Sequence, residues 1–281
     1  MDNAYIDMKS GIRMPKIIYG TAWKKDQTAA LIVKAVKHGF RGIDTACQPK
    51  HYFEPGVGQA LKELKTIGFD RDQIFLQTKF TPISGQDPNN IPYDPNASLH
   101  EQVMTSFAVS KKNLGTDFID SLILHSPLNT HPETMEAWKA MEEIYHFSGV
   151  KQLGISNCYD LKKMQQLYHD ASVKPSVLQN RFYKETHFDK DLRKWCSEND
   201  IVYQSFWTLS ANPTLLQSAV ITDIASSNNK TPAQVLFRYL TQVGVAPLTG
   251  TTSEAHMVED LAIFTFELSK DDMNKIHNLL F

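Results

Sequence analysis

The chain has 281 residues, 42% of them hydrophobic and 21% charged, with 13 Gly and 13 Pro. That composition excludes a disordered or collagen-like chain, and the length is enough to bury a large core. Lys and Arg number 29 against 31 Asp and Glu, a formal net charge of −2, so no global field favours nucleic acid or an anionic membrane.

In chain order, residues 16–20 form a short apolar run ending in Gly20. Ala30, Leu31, Val33, Ala35 and Val36 predict a helix over 28–38, with Gly39 suited to the position after its end. Residues 40–45 read as a strand, 57–67 as a helix followed by Gly68, and 73–79 as a β-rich strand. Residues 98–114 are helical, and 118–125 form an apolar strand. Pro132 suits the first turn of a helix over 132–147. A strand over 150–156 and a helix over 161–169 follow, and segments 177–180, 192–199 and 201–206 continue the alternation. Thr231 caps a helix that Pro232 opens. Residues 243–248 read as a last strand, and two helices close the chain near 254–263 and 269–280.

About eight strand–helix units imply right-handed crossovers and a parallel sheet. At this length they fit an α/β (β/α)8 TIM barrel, a single domain over 1–281, better than a doubly wound sheet. No GxGxxG follows any strand, which argues against a Rossmann domain. No apolar run reaches the roughly 18 residues of a membrane span. The stretch 1–16 is polar and lacks the apolar centre of a signal peptide. Cys47, Cys158 and Cys196 form neither a disulfide framework nor a zinc pattern, so a reduced, cytoplasmic setting is expected.

Barrel chemistry sits at the C-terminal strand ends. Those ends carry Asp44, Lys79, His125, the pair Ser156 and Asn157, Gln179 with Asn180, and Gln204 with Ser205. An apolar strand ending in a lone charge is costly unless the charge is paired or used. For Asp44 or Lys79 alone, a structural ion pair competes with catalysis, and His125 alone reads equally as a satisfied structural histidine. Three successive strands ending in Asp, Lys and His favour one shared polar cavity. The remaining histidines, including His100, His131 and His187, lack the spacing of a metal site.

The segments Gly20-Thr21-Ala22-Trp23, Gly42-Ile43-Asp44-Thr45-Ala46, Glu54-Pro55-Gly56-Val57-Gly58 and Leu76-Gln77-Thr78-Lys79 recur with Asp120-Ser121-Leu122-Ile123-Leu124-His125-Ser126-Pro127. Leu153-Gly154-Ile155-Ser156-Asn157, Val177-Leu178-Gln179-Asn180, Thr231-Pro232-Ala233-Gln234 and Glu259-Asp260-Leu261 follow in the same order. In these motifs and their spacing the chain resembles the aldo-keto reductase superfamily over nearly its whole length. The resemblance implies a (β/α)8 barrel that reduces carbonyls to alcohols with a nicotinamide cofactor. It places Asp44, Lys79 and His125 in the family tetrad. A tyrosine is a poor acid near neutral pH unless a cation favours the phenolate. Lys79 would supply that cation, Asp44 would hold it, and His125 would orient the carbonyl.

The fourth member departs from the pattern. The family expects Tyr five residues after the Asp, where this chain has Pro49. Counted back from Glu54 and Val57-Gly58, the position falls on His51, with Tyr52 next to it. Tyr52 is preferred as proton donor because a lysine partner suits a phenol, and His51 stays open because its pKa suits proton transfer. A third reading has both lining a loop. Lys79→Met is expected to leave the fold intact while turnover falls.

By resemblance, Gly20, Thr21, Trp23, Asp44, Ser156, Asn157 and Gln179 contact the cofactor. Gln204 stands where the family stacks a Tyr on the nicotinamide, flanked by Ser205 and Phe206, with Phe206 or Trp207 as a substitute aromatic wall. The basic clamp for a 2′-phosphate is missing: Leu248, Thr249, Gly250, Thr251 and His256 occupy that region, with Glu259 and Asp260 as the adenosine-contacting pair. NADP(H) is favoured by the family habit, and the missing clamp leaves NAD(H) open. The proline-rich segment 80–96 is expected to wall the substrate mouth. Little chain follows the last helix, so an open pocket is expected. The expected partner is a small-molecule carbonyl substrate, without nucleic acid, membrane or metal, in a monomer. Two rival readings are a catalytically weak nucleotide-binding barrel acting as a redox sensor or regulatory subunit, and a metal-dependent barrel hydrolase using His125.

Overall fold

The structure is a computed structural model and describes residues 4–147 and 149–281. It opens with an antiparallel hairpin of β1 (Tyr5–Asp7) and β2 (Arg13–Pro15). Eight strands then close into a parallel barrel: β3 (Ile18–Gly20), β4 (Gly42–Asp44), β5 (Phe75–Phe80), β6 (Ile119–Leu124), β7 (Val150–Ser156), β8 (Val177–Arg181), β9 (Val202–Phe206) and β10 (Ala246–Thr249). They are adjacent in chain order, and β10 pairs with β3 to complete the ring. Closure removes every free edge from the sheet.

Helices α1 (Thr28–His38), α2 (Glu54–Thr66), α3 (Leu99–Leu114), α4 (His131–Phe147), α5 (Leu161–Asp170) and α6 (Lys190–Glu198) each follow one strand. Between β9 and β10 lie α7 (Pro213–Leu216), α8 (Ala219–Ser227) and α9 (Pro232–Gln242), and α10 (Glu254–Leu261) and α11 (Lys270–Leu280) end the chain. The helix starts are written in side chains. Ser98 and Glu101 form a reciprocal capping box on α3, and Thr231 and Gln234 form another on α9 with Pro232 in its first turn. Gly39 ends α1 at φ +121, a conformation that L side chains rarely adopt.

The barrel interior is layered. At its N-terminal end Met8, Ile12 and Met14 of the hairpin region pack against Ile18, Phe75, Ile123, Val177 and Ala246. This apolar plug seals one end, so chemistry is confined to the other. Above it lies a polar layer that includes Asp44, Gln77, Gln179 and Gln204.

The predicted alternation holds, with local corrections. Strand β10 begins at Ala246 rather than at residue 243, because α9 runs to Gln242 and the chain turns at Gly244, φ +79. Helix α2 starts at Glu54, before the first periodic apolar residue. The hairpin and α8 are additions that the sequence reading did not separate. Residues 1–3 of the polar N-terminal stretch lie outside the described residues.

Helix α2 meets α3 at a contact that only glycine permits. A Cβ on Gly58 would stand 2.1 Å from the Asn113 carbonyl oxygen, and backbone cannot yield as a side-chain tip can. Gly58→Ala is therefore expected to cost at least about 2 kcal/mol, as overpacking of a close backbone contact does. Urea denaturation measures this, and an unchanged midpoint would contradict it.

Candidate active site

Asp44 and Lys79 end two neighbouring strands and meet beneath the cavity. The Lys79 ammonium donates to Asp44 Oδ2 at 2.6 Å and to the Thr45 carbonyl at 2.8 Å. Both side chains are almost wholly sealed from solvent, 0% and 3% exposed. Burial lowers the Lys79 pKa and Asp44 opposes it. Gln77 and Gln179 donate to the other carboxylate oxygen at 2.7 and 3.0 Å. Asp44 is thus gripped from two other strands, β5 and β8.

Between Asp44 and Tyr52 the chain forms a turn. Pro49 follows Gln48, and the Gln48 carbonyl accepts from the His51 and Tyr52 N–H groups at 3.1 and 3.0 Å. Proline at the second position suits such a turn. The turn sends the two neighbours apart. Tyr52 lies over Lys79, whose Nζ is 5.1 Å from the ring centroid, and meets His125 edge-on with ring centroids 6.0 Å apart. His51 instead stacks on Trp23, with centroids 4.0 Å apart. The sequence reading has Lys79 favouring a phenolate. Here Lys79 is committed to Asp44 and Thr45, and burial, then the Asp44 charge, raises the Tyr52 pKa. Tyr52 is held as a neutral phenol.

His125 is neutral for a related reason. Burial lowers its pKa well below the ordinary value, and the Lys79 charge adds to the effect. Its Nδ1 lies 2.6 Å from the Thr81 hydroxyl. Thr81 is buried, and among the described residues its hydroxyl has no other acceptor. An unspent buried donor costs more than an unfilled lone pair. The hydroxyl therefore donates to Nδ1, leaving the ring proton on Nε2. Tyr93 and Gln86 both donate to the Thr81 carbonyl, at 2.8 and 3.1 Å. The segment 80–96 was expected to wall the substrate mouth. Its residues do not line the cavity; they brace Thr81 from behind.

The cavity above this floor has a volume of about 1010 Å³. Of the expected residues, Gly20, Trp23, Asp44, Tyr52, His125, Ser156, Asn157, Gln179, Phe206, Thr249, Thr251, His256, Glu259 and Asp260 line it, as does Trp207. Lys79, in the floor beneath it, and Thr21, Gln204 and Ser205 do not. Thr21 is buried and spends its N–H and hydroxyl on the Asp44 carbonyl. Gln204 is drawn below the floor, accepting from Gln77 and Gln179 at 2.8 Å each, because a buried amide must find partners. Ser205 is buried against Thr208 at 2.9 Å. Trp23, Asn157 and Trp207 all line the cavity with left-handed backbone, φ +64, +54 and +53. Such strain clusters where the surroundings over-determine a functional geometry.

The lining suits a nicotinamide nucleotide. Gln179 spends its N–H groups on Asp44 and Gln204, which leaves its amide oxygen without a donor among the described residues. That oxygen matches the N–H of a primary carboxamide, with Ser156 and Asn157 beside it. Sequence reasoning missed three participants. Lys24 is the one Lys or Arg lining the cavity among the described residues, and it donates to the Gly250 carbonyl. Gln48 lines the cavity with a buried Oε1 that has no hydrogen-bond partner among the described residues. Thr81 is the third, and its only sequence signal was a position two residues beyond Lys79.

The sequence pattern of the Aldo/keto reductase family matches residues 16–280. Glyoxal reductase of Bacillus subtilis (strain 168) is 30% identical over 98% of this chain and 92% of its own length. NADPH-dependent codeinone reductase 1-4 of Papaver somniferum is 28% identical over 98% of this chain and 88% of its own. A solved aldo/keto reductase from Brucella melitensis superposes with a TM-score of 0.82 at 27% identity, covering 98% of each chain. The chain belongs to the Aldo/keto reductase family, and with it to the NAD(P)H-dependent enzymes that reduce carbonyl compounds.

The floor yields two expected outcomes. Lys79→Met strands Asp44 as an uncompensated buried charge, so the expectation of an intact fold is revised: stability should drop by about 3–5 kcal/mol. Urea denaturation checks this, and a loss under about 1 kcal/mol would contradict it. Thr81→Val removes one hydroxyl at nearly constant shape. It should release the His125 tautomer, visible by imidazole nitrogen NMR, and lower kcat/KM by about tenfold. Thr81→Ser should restore both, and an unchanged tautomer in the valine variant would refute the assignment.

Proposed function

We propose that the protein reduces small aldehydes or ketones to alcohols with NADPH, Tyr52 donating the proton. One observation carries this reading: the rings of Tyr52 and His125 meet over the buried Lys79–Asp44 pair at the wall of the large cavity. A bound reduced nicotinamide supplies hydride to the carbonyl carbon. The chain's residues do the rest. His125 Nε2–H and the Tyr52 hydroxyl donate to the carbonyl oxygen and polarise it. As negative charge builds there, the Tyr52 proton moves to it. An alkoxide is a far stronger base than a phenolate, so a raised phenol pKa does not oppose this transfer. Lys79, over the Tyr52 ring, stabilises the phenolate that remains. Ser156, Asn157 and Gln179 orient the carboxamide, and Trp23, Phe206 and Trp207 form the aromatic walls beside it.

NADPH is supported by the NADPH-dependent relative and by Lys24 in the cavity wall. Leu248, Glu259 and Asp260 weaken the case for a strong 2′-phosphate preference. Burial raises the Asp260 pKa to about 6, so near neutral pH its carboxylate adds repulsion. The three cysteines are free and buried, which fits a reducing cytoplasmic setting for a monomeric enzyme. A second reading, a nucleotide-binding barrel with weak turnover acting as a sensor, rests on Gln204 being withdrawn from the cavity wall. Steady-state assays of a carbonyl panel separate the two, because a sensor binds NADPH without carbonyl-dependent oxidation.

Tyr52→Phe should bind NADPH normally and lose about 10²- to 10⁴-fold in reduction, the scale of lost acid assistance. His51→Gln should stay within a few-fold of the parent. An active Tyr52→Phe enzyme beside an inactive His51→Gln enzyme would reverse the assignment. Fluorescence titration should give NADPH a lower Kd than NADH by a modest factor, and equal or tighter NADH binding would overturn the NADPH preference.

A further inference from the structure

Arg181 ends strand β8 and is not used by the mechanism. Side chains alternate along a strand, so Arg181 is on the same side of β8 as Gln179 but at the rim: Gln179 lines the cavity and Arg181 stands just outside it. Its partner across the sheet is Phe206, which lines the cavity. The guanidinium carbon lies 4.6 Å from the ring centroid of Tyr183 and 4.6 Å from that of Trp207, another cavity residue. Two aromatic rings thus pack against the guanidinium. Among the described residues it meets no carboxylate and no hydrogen-bond acceptor, and its Nε is buried without a partner. Arg71, Arg41 and Arg193, by contrast, all donate to protein oxygens.

The arginine is tied to the reacting centre by a short chain of bonds. Asn157 donates to the His125 carbonyl at 2.9 Å, Tyr159 donates to Asn157 Oδ1 at 3.2 Å, and the Arg181 backbone N–H donates to the Tyr159 hydroxyl at 3.2 Å. Ring packing leaves the in-plane N–H groups as the guanidinium's polar offer. In-plane N–H pairs match a planar anion in bidentate fashion.

We propose that Arg181 is a specificity-determining anion site for the substrate: it takes the carboxylate of an aldehyde or ketone that also carries an acid group. The inference rests on the carbonyl-reductase reading for its substrate class. The aromatic flanks, Tyr183 and Trp207, fit an aryl or alkyl spacer between carbonyl and carboxylate. The other source of an oxygen anion near this rim is the diphosphate of the cofactor, and the test separates them.

Benzoate and benzyl alcohol are titrated by calorimetry against the full chain and against Arg181→Met and Arg181→Lys. Benzoate affinity should fall at least tenfold in Arg181→Met and only partly in Arg181→Lys, while the benzyl alcohol affinity does not follow it. In assays with NADPH, the preference in kcat/KM for 4-carboxybenzaldehyde over benzaldehyde should fall at least tenfold in Arg181→Met. Equal benzoate binding by parent and Arg181→Met overturns the proposal. So does a weakened NADPH Kd with benzoate unaffected, which assigns Arg181 to the cofactor's diphosphate. If the parent reduces neither aldehyde, the reductase reading fails, and the benzoate titration still decides the anion site.

Discussion

A buried ammonium–carboxylate pair sets the terms for the C-terminal face of this barrel. Taking Lys79 and Asp44 out of water is expensive, and the pair persists only because its remaining valences are filled. Gln77 and Gln179 donate to Asp44, and the Thr45 carbonyl accepts from Lys79. Gln204 accepts from both glutamines in turn. Contributions from β4, β5, β8 and β9 therefore converge on one point. Loosening one glutamine would leave a buried charge short of a donor, so the floor is fixed and the cavity stands on a rigid base.

Partial exclusion of water gives the two residues above the floor, each half-buried, their chemical state. Desolvation opposes charge on either group, so it pushes a phenol up and an imidazole down. Tyr52 and His125 respond in those directions, and Lys79 pushes His125 further. Two neutral hydrogen-bond donors face one cavity as a result. The Thr81 hydroxyl adds directionality by settling which imidazole nitrogen carries the proton.

The barrel was legible in the sequence because alternation of apolar strands and capped helices is a local signal. So were Asp44, Lys79 and His125, each an ionisable group closing an apolar run. Depth was not legible. Thr21, Gln204 and Ser205 sit at strand ends as the cavity residues do, yet they point below or beside the cavity, and alternation gives a side but not a height. Tyr52 was favoured over His51 on mechanism alone; their separation in space comes from the turn at Pro49, whose bonds to the Gln48 carbonyl depend on the folded loop. Thr81 and Arg181 have no motif at all. Their roles arise from neighbours distant in sequence: His125 for one, and Trp207 for the other.

The central claim is that Tyr52 enters reaction as a neutral phenol whose ionisation lies above its ordinary value. The most direct measurement is the pH dependence of kcat/KM for carbonyl reduction. A donor of this kind stays protonated throughout the neutral range, so the profile should be flat between about pH 6 and pH 9 and fall only beyond the ordinary tyrosine value of about 10. Burial and Lys50 lower the His51 pKa, so a His51 donor would lose its proton, and the enzyme its activity, by about neutral pH. A profile declining through neutrality would contradict the account.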